Sequence, residues 1–318
     1  MDGLSAAMEG RLKLGTRGSA LALWQANWTK SELEKRWSGL TVELVPIKTT
    51  GDKILDVPLA KIGGKGLFTK EIDEALLDGR IDLAVHSMKD VPFQLPNGIE
   101  FGAIPQREDP RDAFISNGPK LQELKAGATI GTSSLRRQVQ LRHRFPALNL
   151  VTLRGNVDTR LRRVAAGDFD GIVLAVAGLK RLGHEQRMTQ ILDDDIMVSA
   201  VGQGALGIVC RTADHSTRQV LQVLDHAPSR IAVTAERGLL RALGGSCQVP
   251  IAGRANLAGD SLSIKGFIAS LDGNRVVDHE LSGTPKRAFE LGMELGAKLL
   301  AMGAGDILAE IAQYGAER

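Results

Sequence analysis

A chain of 318 residues and 34.0 kDa exceeds one average domain, so two or three domains are expected from length alone. Hydrophobic residues make up 43% and charged residues 24%, with a mean hydropathy of -0.05, a balance that excludes disordered, collagen-like and disulfide-stapled chains. No apolar run approaches the roughly 20 residues of a membrane span; the longest, 171–179, is closed by Asp170 and Lys180, and no membrane partner is expected.

The first eighteen residues hold Glu9, Arg11, Lys13 and Arg17 and no apolar signal core, so a cytoplasmic location is expected. Cys210 and Cys247 are too few and too far apart for a disulfide framework or a zinc knuckle. The six histidines show neither H-x-H nor H-E-x-x-H spacing, and no metal is expected. The net charge of +3 conceals a local excess. Between 130 and 165, Arg136, Arg137, Arg142, Arg144, Arg154, Arg160, Arg162 and Arg163 stand against Asp158 alone, giving the window +7 and leaving the rest of the chain at -4. A polyanion is the natural partner of such a segment, with a solvent-facing coat as the plainer reading of Arg142, Arg144, Arg162 and Arg163.

Short apolar stretches alternate with helical patterns, the mark of α/β layers. Residues 12–16 read as a strand, Arg17 as the turn, and Ser19 as the cap of a helix whose Leu23, Ala26, Leu33 and Trp37 share one face. A strand at 42–48 follows, and Gly63-Gly64-Lys65-Gly66 opens a helix through Ile72 and Leu76 without the order of a Walker loop. A buried strand at 81–85 ends in polar residues 86–90, where open α/β sheets place ligands. Strands at 128–131 and 148–153 run into Thr132-Ser133-Ser134 and Arg154-Gly155-Asn156, each opening a helix, and 170–177 reads as a further buried strand. Free N–H groups at helix starts attract anions, and neighbouring arginines add bidentate hydrogen bonds to carboxylates. After Val201-Gly202-Gln203-Gly204, a helix over 231–243 leads to a loop with Cys247, then to strand alternation at Leu262, Ile264, Gly266 and Ile268 and a helix begun by Thr284-Pro285.

Two residues stand apart. Asp90, at a strand end, suits stabilisation of a cation or movement of protons, its plainer reading being a turn carboxylate. Cys247, in a Gly-Gly-Ser-Cys loop, suits a thiol that forms a covalent bond, its plainer reading being an inert buried cysteine.

The strings 85–92 (VHSMKDVP), 131–137 (GTSSLRR), 153–157 (LRGNV), 174–182 (LAVAGLKRL), 200–204 (AVGQG) and 245–250 (GSCQVP) closely resemble the porphobilinogen deaminase family, in order, from about Leu12 to about Gly253. The ten residues before Arg11 fall outside that pattern and read as a disordered extension. The resemblance implies a transferase of tetrapyrrole (heme-type) biosynthesis that condenses four porphobilinogen molecules into hydroxymethylbilane, releasing ammonia. It implies a dipyrromethane cofactor attached by a thioether to Cys247, and Asp90 as the catalytic aspartate that hydrogen-bonds pyrrole N–H groups and stabilises positive charge. Arg17, Arg136, Arg137, Arg154, Arg160 and Arg181 match the arginines that bind acetate and propionate groups. Ser19, Lys65, Lys89, Thr132, Ser134 and Gln203 are implied as secondary contacts, and Phe68 as packing near the rings.

The implied fold is α/β: two periplasmic-binding-protein-like domains with mixed five-stranded sheets and a smaller C-terminal α+β domain. Domain 1 is expected over 1–105 with 206–222, domain 2 over 106–205, and domain 3 over 223–318. A monomer is expected from the family. The nearest alternative is a non-catalytic polycarboxylate-binding protein of the same fold. A nucleic-acid binder fits poorly, because aromatics are 4% of the chain and Phe145 alone lies in the basic window.

Overall fold

The computed structural model describes residues 7–53, 67–245 and 249–316. The chain divides into two compact units, one holding the described residues up to 107 together with 205–230, the other 108–204 with those from 231 on.

In the first unit, β1 (Ala7–Thr16), β2 (Ser38–Pro46), β3 (Leu83–Ser87), β4 (Ile99–Ala103) and β10 (Leu206–Arg211) form one sheet in the order β2-β1-β3-β10-β4. β1 runs parallel to β2 and β3, whereas β10 is antiparallel to β3 and β4. Parallel pairing brings the carboxyl ends of β1 and β3 to one edge, so Arg17 and Asp90 leave the sheet on the same side. Helix α1 (Ala20–Arg36) buries Gln25, Ala26, Thr29 and Leu33, a spacing of three to four that gives it a single inward face. Ala26 and Leu33 join Leu14, Val42, Leu83, Val85 and Ile208 in one core, and the Trp37 indole donates to Val220 O at 3.1 Å.

The second unit repeats this plan. β5 (Asp112–Ser116), β6 (Thr129–Gly131), β7 (Asn149–Val151), β8 (Gly171–Ala175) and β9 (Gln190–Leu192) are ordered β7-β6-β8-β5-β9, with β6 parallel to β7 and β8 and β5 antiparallel to β8 and β9. The four strands β6, β7, β8 and β9 therefore point their carboxyl ends at one edge. From it run α3 (Leu135–Arg144), α4 (Val157–Ala165) and α5 (Val176–Arg181); the helix α2 (Lys70–Leu77) belongs to the first unit.

The C-terminal part of this unit is an antiparallel sheet of β11 (Ile251–Ala258), β12 (Ser261–Ala269) and β13 (Val276–Gly283). It shares a core with helices α7 (Ala227–Ala242), α8 (Ala288–Leu299) and α9 (Gly305–Ala316), α6 (His215–Leu221) lying earlier in the chain. A Cβ on Gly292 would stand 1.9 Å from Ala235 O, so the close crossing of α7 and α8 requires glycine there. Val139 and Val198 pack with Ala252, Phe267 and Ala269, joining this sheet to the second one.

Several sequence expectations are corrected. Residues 7–10 belong to β1, with Ala7 paired to Ser38 and Gly10 to Leu40, so the extension is not disordered throughout. The strand expected at 42–48 begins at Ser38 and ends at Pro46. The strand expected at 170–177 stops at Ala175, and Val176 already opens α5, because an apolar run reads alike in a buried strand and a buried helix. The antiparallel strands β5 and β10 carry no distinguishing sequence signal, since each is set by its partners across the sheet.

Candidate functional site

The first unit holds a pocket at the strand ends, lined by Arg17, Ser19, Gln25, Phe68, His86, Ser87 and Asp90. Ser19 caps α1, its Oγ accepting from Ala22 N at 3.3 Å, which fixes the turn that presents Arg17. The Arg17 guanidinium carbon stands 4.2 Å from the centroid of the Phe68 ring. After β3 the chain turns through a short 3-10 helix, Met88–Asp90, tied down by Met88 N donating to Ala205 O at 3.0 Å. Asp90 is half-buried, beside Lys89. Gln25 Nε2 donates to Ser87 Oγ at 2.8 Å. His86 is 6% exposed, with a buried Nε2 that has no hydrogen-bond partner among the described residues; burial, and then the Arg17 charge, pushes its pKa down to about 4. A carboxylate, a cation stacked on an aromatic face and a neutral imidazole thus share one cavity.

The second unit presents the arginines. Asn156 caps α4, its side chain accepting from Thr159 N at 2.8 Å, and Arg160 Nε donates to Gly155 O at 2.8 Å. Burial, and then the charges of Arg137 and Arg154, lowers the Arg160 pKa to about 10. The positive charges of Arg137 and Arg154 raise the cost of holding Arg160 charged, and an anion bound beside it relieves that cost. Arg136 and Arg137 are 5% and 6% exposed and both bind the fully buried Asp112. Arg181 Nη2 donates to Gly204 O at 2.7 Å, and burial lowers its pKa to about 10.

The expected site residues accordingly divide. Arg17, Ser19, Phe68 and Asp90 meet in the first pocket, with Lys89 in the same turn as Asp90. Arg137, Arg154 and Arg160 form the electrostatic cluster. Thr132 is 2% exposed, its Oγ1 accepting from Ser134 N at 3.2 Å, and Ser134 is the residue before α3. Gln203 is 1% exposed, its amide donating to Pro110 O at 2.7 Å and Asp112 Oδ1 at 3.0 Å. Lys65 and Cys247 lie outside the described residues. Arg142 docks on Leu271 O at 2.7 Å, and Arg163 pairs with Asp168 at 2.8 Å, which gives both a structural place. Sequence reading misses Gln25, His86, Ser87 and Asp112. His86 and Ser87 lie inside the 85–92 string without an assigned role, and no spacing links Gln25 to Ser87.

Strand ends loaded with arginine, and a second edge pairing a carboxylate with a cation, define an α/β protein built to receive anions at its sheet edges. Residues 12–219 match the family described as porphobilinogen deaminase, dipyrromethane cofactor binding domain, and residues 230–301 match the porphobilinogen deaminase C-terminal domain. The porphobilinogen deaminase of Trichlorobacter lovleyi is 55% identical over 303 residues, covering 95% of this chain and 97% of its own. That of Geobacter sulfurreducens is 55% identical over 303 residues, covering 95% of each chain. Among solved structures, a TRAP periplasmic solute binding protein from Desulfovibrio salexigens is similar over 69% of this chain and 73% of its own, at 14% identity and a TM-score of 0.41. The chain belongs to the porphobilinogen deaminase family. Arg160, with the charges of Arg137 and Arg154 acting on it, belongs to a donor set that fits the carboxylates of a dipyrromethane.

Proposed function

We propose that the chain condenses four porphobilinogen molecules head to tail into hydroxymethylbilane with release of ammonia, and that Asp90 does the chemistry. The observation that carries this reading is the meeting of Asp90 and Arg17 in one pocket over Phe68. Porphobilinogen offers what such a pocket complements: two carboxylates for a cation, a pyrrole N–H for a carboxylate, and a ring for an aromatic face.

The Asp90 carboxylate accepts the pyrrole N–H and stabilises the positive charge that develops as ammonia leaves. Arg17 binds a substrate carboxylate, with Ser19 and Lys89 beside it, and Gln25 holds the Ser87 hydroxyl in place. Neutral His86 adds no second positive charge next to Arg17. In the second unit Arg137, Arg154 and Arg160 hold acetate and propionate groups, with Arg181 as a further cation. Bound dipyrromethane supplies the primer on which the chain grows, anchored as a thioether through Cys247. Lys65 is a further contact. We assign domain 1 to 1–105 with 206–222, domain 2 to 106–205 and domain 3 to 223–318; the separate core beneath the three-stranded sheet supports the third. A cytoplasmic monomer completes the reading, and the free thiol of Cys210 suits a reducing compartment.

The test is intact-protein mass spectrometry under denaturing conditions, with porphobilinogen turnover measured alongside. An added mass of two linked pyrrole units, absent from Cys247→Ser, is expected together with turnover. A parent that lacks the adduct, fails to acquire it from porphobilinogen and shows no turnover overturns the reading in favour of a polycarboxylate-binding protein. Sedimentation analysis checks the monomer.

A further inference from the structure

Asp112 belongs to none of the motifs that point to the family, yet the fold places it at the arginine edge. It is the first residue of β5, which runs against β8, so its register partner is Ala175, the last residue of that strand. An antiparallel strand thus starts where its parallel neighbours end. The side chain is fully buried. Its Oδ2 accepts from Arg136 Nη1 at 2.7 Å. Its Oδ1 accepts from Arg137 Nη2 at 2.6 Å and Nε at 3.1 Å, and from Gln203 Nε2 at 3.0 Å. Burial alone raises a carboxyl pKa, but the charges of Arg136 and Arg137 outweigh it and hold Asp112 well below the ordinary range.

A buried ion pair is weak evidence of net stability, because desolvation offsets much of its attraction. What this arrangement does provide is geometry. A guanidinium held through Nε and Nη2 on one oxygen is fixed in its plane, and Arg137 is further pinned by Nη1 donating to Val173 O at 2.9 Å. Two cations on one anion also leave one positive charge in excess, within electrostatic reach of Arg160.

We infer that Asp112 is the positioning residue of the arginine cluster: by orienting Arg136 and Arg137 it presets the cationic surface that receives substrate carboxylates. The inference rests on the functional reading above. Gln203 braces Asp112, and Glu236 ties the same loop to β11 by accepting from Gly202 N at 2.6 Å and Ala255 N at 2.8 Å.

Asp112→Asn removes the charge, and Asp112→Glu keeps it but displaces both guanidinium groups by one methylene. In folded protein, checked by circular dichroism and thermal melting, both variants should acquire the two-pyrrole adduct from porphobilinogen about tenfold more slowly than the parent. Both should raise KM about tenfold, as for a loss of about 1.4 kcal/mol in binding. A role limited to stability lowers Tm and leaves loading and KM unchanged in the folded fraction, and that result overturns the inference. If Asp112→Asn does not fold, the charge-balanced Asp112→Glu decides by the same criterion. A parent that neither carries nor takes up the adduct overturns the functional reading and this inference together, whereas adduct-free parent and variants that load at equal rates overturn the inference alone.

Discussion

The Arg17 guanidinium lies over the face of Phe68, 4.2 Å from the ring centroid, in the pocket that Asp90 also lines. The stacking orients the cation, whose N–H groups are donors of the kind that bind a carboxylate. Cation–π contacts contribute about 0.5–1 kcal/mol at partly exposed sites, so Phe68→Leu should raise KM for porphobilinogen about two- to fivefold with little change in kcat. Steady-state kinetics decides: an effect confined to kcat would place Phe68 in the chemical step instead.

Asp90→Asn keeps the size of the side chain and removes its charge. If the carboxylate stabilises developing positive charge, kcat should fall by about 10²–10³ while KM changes little. Single-turnover rates with one equivalent of porphobilinogen separate chemistry from product release, and a variant as fast as the parent would remove Asp90 from its role.

The strand-end corners are legible because each joins two local signals, an apolar run and a polar capping turn, within a dozen residues. Arg17 with Ser19, Asp90 after β3 and Arg154 with Asn156 are all of this kind. Asp112 is different. Its proposed role depends on β5 pairing antiparallel with β8, far along the chain, and on burial of Arg136 and Arg137, which a charge count does not reveal. The same holds for Gln25, whose partner Ser87 is reached only through the parallel sheet. Local chemistry is written locally, while the contacts that orient it are set by tertiary register.

Gly204 has a φ of +85°, and a Cβ there would stand 2.4 Å from Glu108 O. Its carbonyl also receives Arg181 Nη2 at 2.7 Å. Gly204→Ala should therefore cost about 2 kcal/mol or more from backbone strain and displacement, lowering Tm by several degrees. Because Arg181 follows the carbonyl, KM should rise as well. A melting curve that superimposes on the parent's would show that the loop relaxes without cost.

His86 predicts an acid sensitivity of defined sign. Its ordinary pKa of 6.5 falls to about 4 in the folded chain, through burial first and the Arg17 charge second. Between those values the unfolded chain binds a proton that the native chain refuses, so stability declines as pH drops from 6.5 toward 4, by about 2 kcal/mol at pH 5. Asp73 acts in the opposite direction: burial raises its pKa to about 6, so the native chain holds a proton that the unfolded chain releases, and its contribution grows as pH falls through 6. Comparison of His86→Gln with the parent cancels the Asp73 contribution. In urea melts at pH 7 and pH 5, the parent should lose about 2 kcal/mol more than the variant across that interval. Equal losses would mean that the imidazole is protonated in the native chain, beside Arg17, and that the pocket tolerates two adjacent cations.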